Sequence, residues 1–519
     1  MTNTGGPLLV CSHCIIWFPN KRNLQRLLRY GIAASPPLST NALVLILASA
    51  AATVRTGTRM ARFLLLVLTT IVVFLVYFLY LKAPPPLPKL DVNEWWGPDE
   101  LKTKQDLSIR PFKIEFSNSM IEDLRMRLKR HRPSPPPLEG VGFEYGFNSK
   151  QTDKWLKYWG EQYPFKEREK FLNQFPQFKT NIQGLDIHFI RVKPEVPKGI
   201  EIVPMLLLHG WPGSVREFYE AIPRLTSVSK DRDFAIEVIA PSLVGFGYSD
   251  AAVRSGLGTA QMAVVMRNLM KRLGFDKFYI QGGDWGSVVG GHLATLFPED
   301  VLGYHTNLPF STAPSSLIIP ILASVYPSLV FSKQEIDRVY PLFDYYSMLM
   351  EEMGYLHLHA TKPDTIGIAL TDSPSGLLIY ILQMFSTWTC RKDVSLPEGG
   401  LDLHFSKEQV IDNIMFYWAP NSISTAIRLY AESFSKKHLD TKLDEIPSYV
   451  PTWVLQSKHE PLYQAPLVTR LKFPNILNVT VLNDGGHFVA LELPKEFSDD
   501  VIQAIDKFRK RNSTQKTEL

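Results

Sequence analysis

The sequence has 519 residues, of which 45% are hydrophobic and 21% charged, a composition that supports a large buried core and excludes a wholly disordered chain. The formal net charge of +5 is small and spread along the chain, which argues against nucleic acid as a partner. The three cysteines, Cys11, Cys14 and Cys390, are too few for a disulfide framework, and "CSHC" lacks the second pair that a tetrahedral zinc site needs, so no metal is predicted.

The first 59 residues differ in composition from the rest, and Met60 stands just before a long apolar run. We interpret residues 1–59 as an N-terminal extension that the mature protein lacks. With a start at Met60, Arg62 precedes the apolar run while Lys82 and Lys89 follow it. The flanking positive charges therefore do not fix the orientation of the run in a membrane.

Residues 60–82 are predicted to form a single transmembrane anchor. The run from Phe63 to Leu81 has 19 residues without a charge, enough to cross about 30 Å of hydrocarbon at roughly 1.5 Å per residue. A cleaved signal peptide is the alternative interpretation. The run is longer than a usual signal core, however, and "KAPPPLPKL" follows it instead of a small-x-small cleavage site.

Residues 83–198 are predicted to form an N-terminal arm that packs on the main domain. The segments "NEWWGPDE" and "HRPSPPPLEG" mark this arm, and helices are predicted near 118–130 and 150–162.

From Val203 onward, short apolar runs that end in turn residues alternate with helical patterns, as in "VPMLLLHGW", "KFYIQGGD" and "AQMAVVMRNLMKRLGF". This alternation predicts an α/β core, in which crossover helices cover both faces of a parallel sheet. We assign 199–308 and 447–511 to the core and 512–519 to a tail. Residues 309–446 break the rhythm and are predicted to form a helical cap over the carboxyl edge of the sheet.

Three chemically active residues follow three of the predicted strands. Asp284 lies in "GGDWGS", which has the spacing of a nucleophile elbow with a carboxylate in place of serine. Glu460 follows "TWVLQSKH", and His487 follows "VTVLNDGG". Asp284 could instead cap a helix, and Asp484 competes with Glu460 as the partner of the histidine. We favour Glu460 because it follows its own strand.

An oxyanion hole is predicted from the backbone N–H groups of Trp211, in "LLLHGWPGS", and Trp285. A carboxylate nucleophile is suited to displacement at a saturated carbon, which leaves an alkyl ester on the enzyme. The carbonyl of that ester would occupy the hole while the histidine activates water. The leaving group is then a halide or an epoxide oxygen. An epoxide needs an acid such as a phenol, and Tyr355 and Tyr430 are candidates among 20 tyrosines.

The motifs "HGWPGS", "GGDWGS", "GYLHLHATKPDT", "YWAPNSISTAIRLYAE" and "GGHFVALELP" resemble the microsomal epoxide hydrolase family. The segment "VIAPSLVGFGYSDAAVRSGLGTAQMA" is most similar to its insect branch, the juvenile hormone epoxide hydrolases, and the resemblance covers residues 60–508. Two positions depart from the family pattern. His359 stands where glutamine is expected, and Val244 replaces the proline of "SLPG".

The resemblance implies an α/β-hydrolase fold without a metal or organic cofactor. It implies that Asp284 is the nucleophile, His487 the general base and Glu460 its charge partner. It also implies that Tyr355 and Tyr430 polarise the epoxide from the cap.

The resemblance further implies a single-pass protein of the endoplasmic reticulum membrane, and we expect its catalytic domain to face the cytosol. The expected reaction adds water to a lipophilic epoxide, with a terpenoid hormone favoured over xenobiotic epoxides in general. A haloalkane dehalogenase and a non-catalytic hydrolase-like scaffold are the alternatives of other classes.

Overall fold

The computed structural model describes residues 83–517, together with 8–11, 14–17 and positions 60, 63, 67, 69 and 70. The predicted extension and anchor therefore lie almost wholly outside the described residues. The chain divides into two compact units, Met1–Ala83 and Pro84–Leu519. In the first unit, Leu8–Cys11 pairs with Cys14–Trp17 in an antiparallel hairpin.

Within the described part of the chain, no single helix is both long and apolar enough to span a membrane. Two consecutive helices, Pro363–Asp372 and Pro374–Thr389, meet the length and composition test only as a pair, and the chain bends by 118° between them.

A nine-stranded sheet forms the centre of the second unit, with strand order β9-β8-β7-β6-β4-β5-β3-β2-β1. Strands β4 to β9 run parallel, and β1 to β3 add an antiparallel edge beside β5. The strands are β1 (Arg110–Phe112), β2 (Gln177–Ile182), β3 (Leu185–Val192), β4 (Glu201–Leu208), β5 (Phe234–Pro241), β6 (Phe278–Gly282), β7 (Val301–Thr306), β8 (Thr452–Gln456) and β9 (Ile476–Val481).

Strands β1 to β3 correct the predicted boundary between arm and core. They come from the segment predicted to be an arm, yet they pair directly into the sheet. The six residues of β2 are not uniformly buried, whereas all eight residues of β5 are buried. Edge strands of this kind lack the continuous apolar run by which the central parallel strands were recognised.

The central strands β5, β6 and β8 are buried along their whole length, so both faces of the sheet are covered there, as its apolar strands predict. The two helices predicted in the arm are also present. The second of these continues into a π-helical turn, Tyr158–Gln162. The helices up to β7 are α1 (Asn118–Lys129), α2 (Thr152–Lys157), α3 (Phe165–Leu172), α4 (Ile222–Leu225), α5 (Thr259–Arg272) and α6 (Asp284–Leu296), with 3-10 turns at Asp99–Leu101, Ser149–Gln151 and Val215–Phe218.

Every regular element described between β7 and β8 is helical, in agreement with the predicted cap. These helices are α7 (Pro314–Ala323), α8 (Lys333–Val339), α9 (Leu342–Glu352), α10 (Gly354–Thr361), α11 (Pro363–Asp372), α12 (Pro374–Thr389), α13 (Leu401–His404), α14 (Lys407–Trp418), α15 (Ile423–Ser433) and α16 (Lys436–Leu439), with 3-10 turns at Pro327–Leu329, Arg391–Ser395 and Leu443–Glu445. The core then closes with α17 (Pro466–Lys472), α18 (Val489–Glu492) and α19 (Pro494–Thr517).

Candidate active site

Asp284 sits at a sharp turn where β6 ends and α6 begins. Its φ of 47° lies in the left-handed region, which a non-glycine residue adopts only where the surrounding structure enforces it. Gly282 and Gly286 permit the turn, because a Cβ on Gly282 would overlap the backbone of Gly286 and one on Gly286 would overlap the carbonyl of Leu208. The residue order "GGDWGS" thus forms the strained elbow that its spacing predicts.

The carboxylate of Asp284 does not cap its own helix, because the N-cap residue is Gly283 and no side-chain cap bond is present at this end of α6. Instead, its Oδ1 accepts a hydrogen bond of 2.8 Å from the backbone N–H of Trp211. Gly210 has no room for a Cβ beside this carboxylate, which is why the loop approaches so closely. The first predicted oxyanion donor therefore faces the predicted nucleophile.

The second predicted oxyanion donor is the backbone N–H of Trp285, in the first turn of α6. Among the contacts of the described residues, no hydrogen bond joins it to the Asp284 carboxylate. First-turn N–H groups have no partner within their own helix, so this donor remains available to an oxygen that binds beside the elbow. Its catalytic role stays a prediction.

His487 lies between the two predicted carboxylates. Its Nε2 is 3.3 Å from Oδ2 of Asp284, and its Nδ1 is 2.9 Å from Oε2 of Glu460. Oε1 of Glu460 also accepts the N–H of Leu462 at 3.0 Å, which fixes the carboxylate in its loop. The competing acid, Asp484, is 75% exposed and lies 3.6 Å from His459 instead. The structure thus places Glu460, and not Asp484, against His487.

The two carboxylates control the charge of His487. Burial opposes the charged imidazolium, but the negative charges of Glu460 and Asp284 outweigh this effect and hold the pKa of His487 well above its usual range. In the free protein the imidazole therefore carries a proton near neutral pH and donates from both nitrogens.

Tyr355 and Tyr430 both enter the site from the cap. Ile423, Ala426 and Ile427 are buried on the same face of α15 as Tyr430, at the spacing of an amphipathic helix. The ring of Tyr355 stacks on Trp211 with centroids 5.2 Å apart, and the ring of Tyr430 lies edge-on to both. Burial, together with the charge of Asp284, raises the pKa of each phenol well above its usual value. Both phenols are therefore neutral hydrogen-bond donors.

His359, one of the two departures from the family pattern, is fully buried in this aromatic cluster. Its ring lies 4.7 Å from Trp211 and 4.9 Å from Tyr430, and its Nε2 is 3.0 Å from the hydroxyl of Tyr380. Burial lowers its pKa to about 3, so this imidazole is neutral. The other departure, Val244, donates its N–H to the sulfur of Met262 at 3.4 Å, a bond that proline could not make.

Sequence reasoning missed the residues that hold the oxyanion loop in place. The amide of Asn413, on α14, donates to the carbonyl of Pro212 at 2.7 Å and accepts the hydroxyl of Ser214 at 2.7 Å. The hydroxyl of Tyr417 donates to the carbonyl of Gly213 at 2.5 Å. These cap residues lie about 200 positions from the loop. No local motif could have revealed them, because their partners become neighbours only in the folded chain.

Two further carboxyl groups near His487 were also missed. Burial raises the pKa of both Glu217 and Glu492 to about 8, and the charge of His487 acts on each of them. Glu217 follows the oxyanion loop and packs against Gly213, which has no room for a Cβ. Glu492 bonds to the backbone on either side of the histidine.

The cavity beside His487 has a mainly apolar lining. Met348, Leu349 and Met353 from the cap line it together with Trp388, Leu462 and the ring of Tyr355. Trp388, which the motifs did not single out, also accepts the backbone N–H of His487 at 2.9 Å and places its ring 4.8 Å from the imidazole. The cavity also touches Glu352, its volume is only about 10 Å³, and neither Asp284 nor Tyr430 lines it.

Among the described residues, one group brings three potential metal-ligating atoms within 4.8 Å of one another, namely Cys390, Asp393 and His404. His404 Nε2 already bonds Asp393 at 2.8 Å, and the group includes none of the predicted catalytic residues.

The arrangement suits a two-step displacement. An N–H donor and an imidazole flank the Asp284 carboxylate, and two neutral phenols from the cap lie near enough for its charge to act on them. These groups can hold an alkyl ester on Asp284 and deliver water to its carbonyl.

Comparisons with known proteins point to one family. A model of the epoxide hydrolase N terminus matches residues 109–218, and a model of the alpha/beta hydrolase fold matches 203–326. The chain is 58% identical over 462 residues to juvenile hormone epoxide hydrolase of Bombyx mori, covering 89% of this chain and 100% of that protein. It is 40% identical over 449 residues to epoxide hydrolase 1 of Oryctolagus cuniculus, covering 85% and 98% of the two chains.

A solved structure supports the same relationship. The crystal structure of the juvenile hormone epoxide hydrolase from the silkworm Bombyx mori superimposes with a TM-score of 0.81 at 59% identity, covering 82% of this chain and 100% of that chain. The predicted α/β-hydrolase fold with a helical cap is thereby confirmed.

The charge of His487 provides a test of its partner. Glu460→Gln should lower the pKa of His487, because it removes the negative charge that most strongly stabilises the imidazolium. Asp484→Asn should leave that pKa unchanged, because Asp484 pairs with His459. NMR titration of isotope-labelled histidine side chains, with His487→Gln for assignment, measures both. An unchanged pKa in Glu460→Gln would contradict the assignment of the partner.

Proposed function

Because this chain belongs to the epoxide hydrolase family, we propose that it adds water to the epoxide of a lipophilic terpenoid hormone through an alkyl ester on Asp284. One observation carries the mechanism. The Asp284 carboxylate lies between the Trp211 N–H and His487, and its charge acts on two neutral phenols of the cap, Tyr355 and Tyr430.

The first step is displacement at an epoxide carbon. An oxygen of Asp284 forms the new ester bond while the carbon–oxygen bond of the epoxide breaks. The departing oxygen takes a proton from one of the two phenols, Tyr355 or Tyr430. The other phenol stabilises the negative charge of the resulting tyrosinate by hydrogen bonding. Both phenols start in the protonated form that this step needs, because burial raises the pKa of each.

The second step is hydrolysis of the ester. Water attacks the ester carbonyl of Asp284 while His487 takes its proton, and the N–H of Trp211 stabilises the oxyanion. The departing alkoxide takes that proton from His487 and leaves as the diol. The carboxylic acid thus formed on Asp284 then ionises, and its proton returns to the imidazole, so that His487 and the tyrosine both end in their starting states.

The ester also changes the state of the base. Asp284 loses its negative charge on alkylation, and that charge is one of the causes that raise the pKa of His487. The pKa of His487 therefore falls in the intermediate. The tyrosinate formed in the first step takes the proton of the imidazolium, which leaves His487 neutral at the stage when a base is required.

The terpenoid hormone is favoured by two observations. The cavity lining is mainly apolar, with Met348, Leu349 and Met353 near Tyr355. Relatives named juvenile hormone epoxide hydrolase include one at 58% identity, whereas the relative named epoxide hydrolase 1 is 40% identical. Broad hydrolysis of xenobiotic epoxides is the second candidate within the same chemistry.

A turnover panel distinguishes these substrates. We expect kcat/KM for juvenile hormone to exceed that for styrene oxide and 1,2-epoxybutane by about tenfold or more, since the apolar chain gains contacts that small epoxides lack. Diol formation is measured by mass spectrometry, with 1-chlorobutane as the control. Preference for the aryl epoxide would favour the xenobiotic function, and chloride release would indicate a dehalogenase.

His487→Gln should separate the two chemical steps. Alkylation uses Asp284 and the phenols, so it should proceed, whereas hydrolysis should slow by about 10² to 10⁴ because no base activates water. Intact mass spectrometry should detect enzyme plus one intact epoxide, and peptide mapping should place the adduct on Asp284.

Asp284→Asn and His404→Gln are the matched controls for this experiment. The first should form no adduct, and the second, which removes an exposed histidine, should turn over normally. A folded His487→Gln protein that binds the epoxide without forming a covalent species would overturn the ester mechanism.

The two phenols are tested together. Tyr355→Phe and Tyr430→Phe should each slow alkylation, and the double variant should lose about 10² to 10⁴ of the rate, because one phenol partly replaces the other. Single-turnover quenching measures alkylation directly. Tyr380→Phe serves as the control, since its hydroxyl bonds His359. Wild-type alkylation in the double variant would mean that another group supplies the proton.

We propose that Phe63–Leu81 anchors the protein in the endoplasmic reticulum membrane, with the catalytic domain in the cytosol. The support is its 19-residue uncharged run, together with the apolar cavity lining that suits a substrate dissolved in lipid.

Glycosylation tests this orientation. The native sequons at Asn478 and Asn512 should remain unmodified in a microsomal translation, because glycans are added only in the lumen. Both asparagines already donate hydrogen bonds, to Thr480 and to the carbonyl of Leu302, so a third sequon is needed as a control. Glu139→Asn with Val141→Thr creates one at an open turn. An endoglycosidase-sensitive mass shift at that site would reverse the assigned orientation.

A further inference from the structure

Three consecutive backbone N–H groups around His487 are each held by a named acceptor. The N–H of Gly486 donates to Oε2 of Glu492 at 2.8 Å, and the N–H of Phe488 donates to Oε1 of the same residue at 2.8 Å. Between them, the N–H of His487 donates to the carbonyl of Trp388 at 2.9 Å. One carboxyl group thus bridges the two neighbours of the predicted base.

Helix capping accounts for only half of this arrangement. Phe488 is the N-cap residue of α18, so a glutamate in that helix that reaches back to its N–H resembles part of a capping box. The bond to Gly486 lies two residues further out and contributes nothing to the helix. This second bond fixes the loop that carries His487.

The loop has little freedom to relax if this bridge is lost. Gly485 has a φ of 81°, and a Cβ on Gly486 would overlap the carbonyls of Trp388 and Thr389. The turn therefore fits one narrow space between α12 and α18. The hydrogen bonds of this turn therefore fix the position of the His487 imidazole.

The carboxyl group is retained despite an unfavourable environment. Burial penalises its ionised form, and no salt bridge to lysine or arginine is present at Glu492 among the described residues. The nearby carboxyl groups of Glu217 and Glu460 add negative charge, and His487 is the neighbouring cation. Each oxygen of the carboxyl group accepts one backbone N–H, whereas an amide of the same shape could accept with only one of its two end atoms.

We propose that Glu492 is a positioning residue for His487, whose bridge across Gly486 and Phe488 keeps the imidazole aligned between Asp284 and Glu460. This inference rests on the proposed two-step mechanism. It assigns Glu492 to the hydrolysis step, because alkylation of Asp284 does not use His487. A displacement of the imidazole on the order of 1 Å is enough to slow a positioned reaction by about 10².

Single-turnover kinetics of Glu492→Gln test the proposal. The glutamine keeps the shape and one acceptor but turns an NH₂ group toward a backbone N–H. Quenched samples of enzyme mixed with excess juvenile hormone give the rates of adduct formation and decay separately. We expect alkylation within about twofold of wild type and ester hydrolysis slower by about tenfold or more.

Glu237→Gln is the matched control. Glu237 is a buried carboxylate on β5, paired with Arg191 at 2.8 Å, so its replacement disturbs the core without touching the histidine loop. It should leave the ratio of the two rates unchanged. Glu492→Asp, which keeps the carboxyl group but shortens its reach, should also slow hydrolysis selectively, and this variant tests the proposal if Glu492→Gln does not fold.

The possible results distinguish the positioning role of Glu492 from the ester mechanism on which that role rests. Equal slowing of both steps in the folded variants, or unchanged hydrolysis, would overturn the positioning role while leaving the ester mechanism intact. A wild-type enzyme and a His487→Gln variant that form no adduct would overturn both.

Discussion

The structure depends on one imidazolium held between two carboxylates. His487 lies 3.3 Å from Asp284 and 2.9 Å from Glu460, in a site largely shielded from water. Attraction between such charges is much stronger here than at an exposed surface, and removal of either partner would leave a buried charge uncompensated. The parallel sheet makes the contact possible, because β6, β8 and β9 deliver their carboxyl ends to one edge.

This arrangement links charge to the order of the chemical steps. In the proposed mechanism, the free carboxylate of Asp284 adds to the effect of Glu460 in keeping His487 protonated until the nucleophile has reacted. Under that proposal, esterification removes the charge of Asp284 as it forms the bond to be hydrolysed. The N–H of Trp211 already bonds the carboxylate oxygen, the position that the proposed ester carbonyl would occupy.

The reactive groups could be predicted from the sequence because each follows its own strand. Asp284, Glu460 and His487 occur in the order and at the strand ends that the fold requires, and continuous apolar runs identify the strands themselves. The supporting contacts of Asn413 and Glu492 could not be predicted in the same way. Asn413 acts on a loop about 200 residues away, and both residues act on backbone atoms, which leave no residue pattern. Strands β1 to β3 were missed because edge strands lack the continuous apolar signal.

Two buried histidines show how the site sets protonation. His359 and His487 are both removed from water, yet burial lowers the pKa of His359 to about 3 while the pKa of His487 rises. Desolvation acts on both in the same direction, so the difference comes from the carboxylates that face only His487. Burial and the charge of Asp284 also act on Tyr355 and Tyr430, and both effects favour the neutral form of these phenols. Exclusion of water and a few fixed carboxylates thus keep the phenols of Tyr355 and Tyr430 neutral on the cap side and the imidazole of His487 charged on the sheet side.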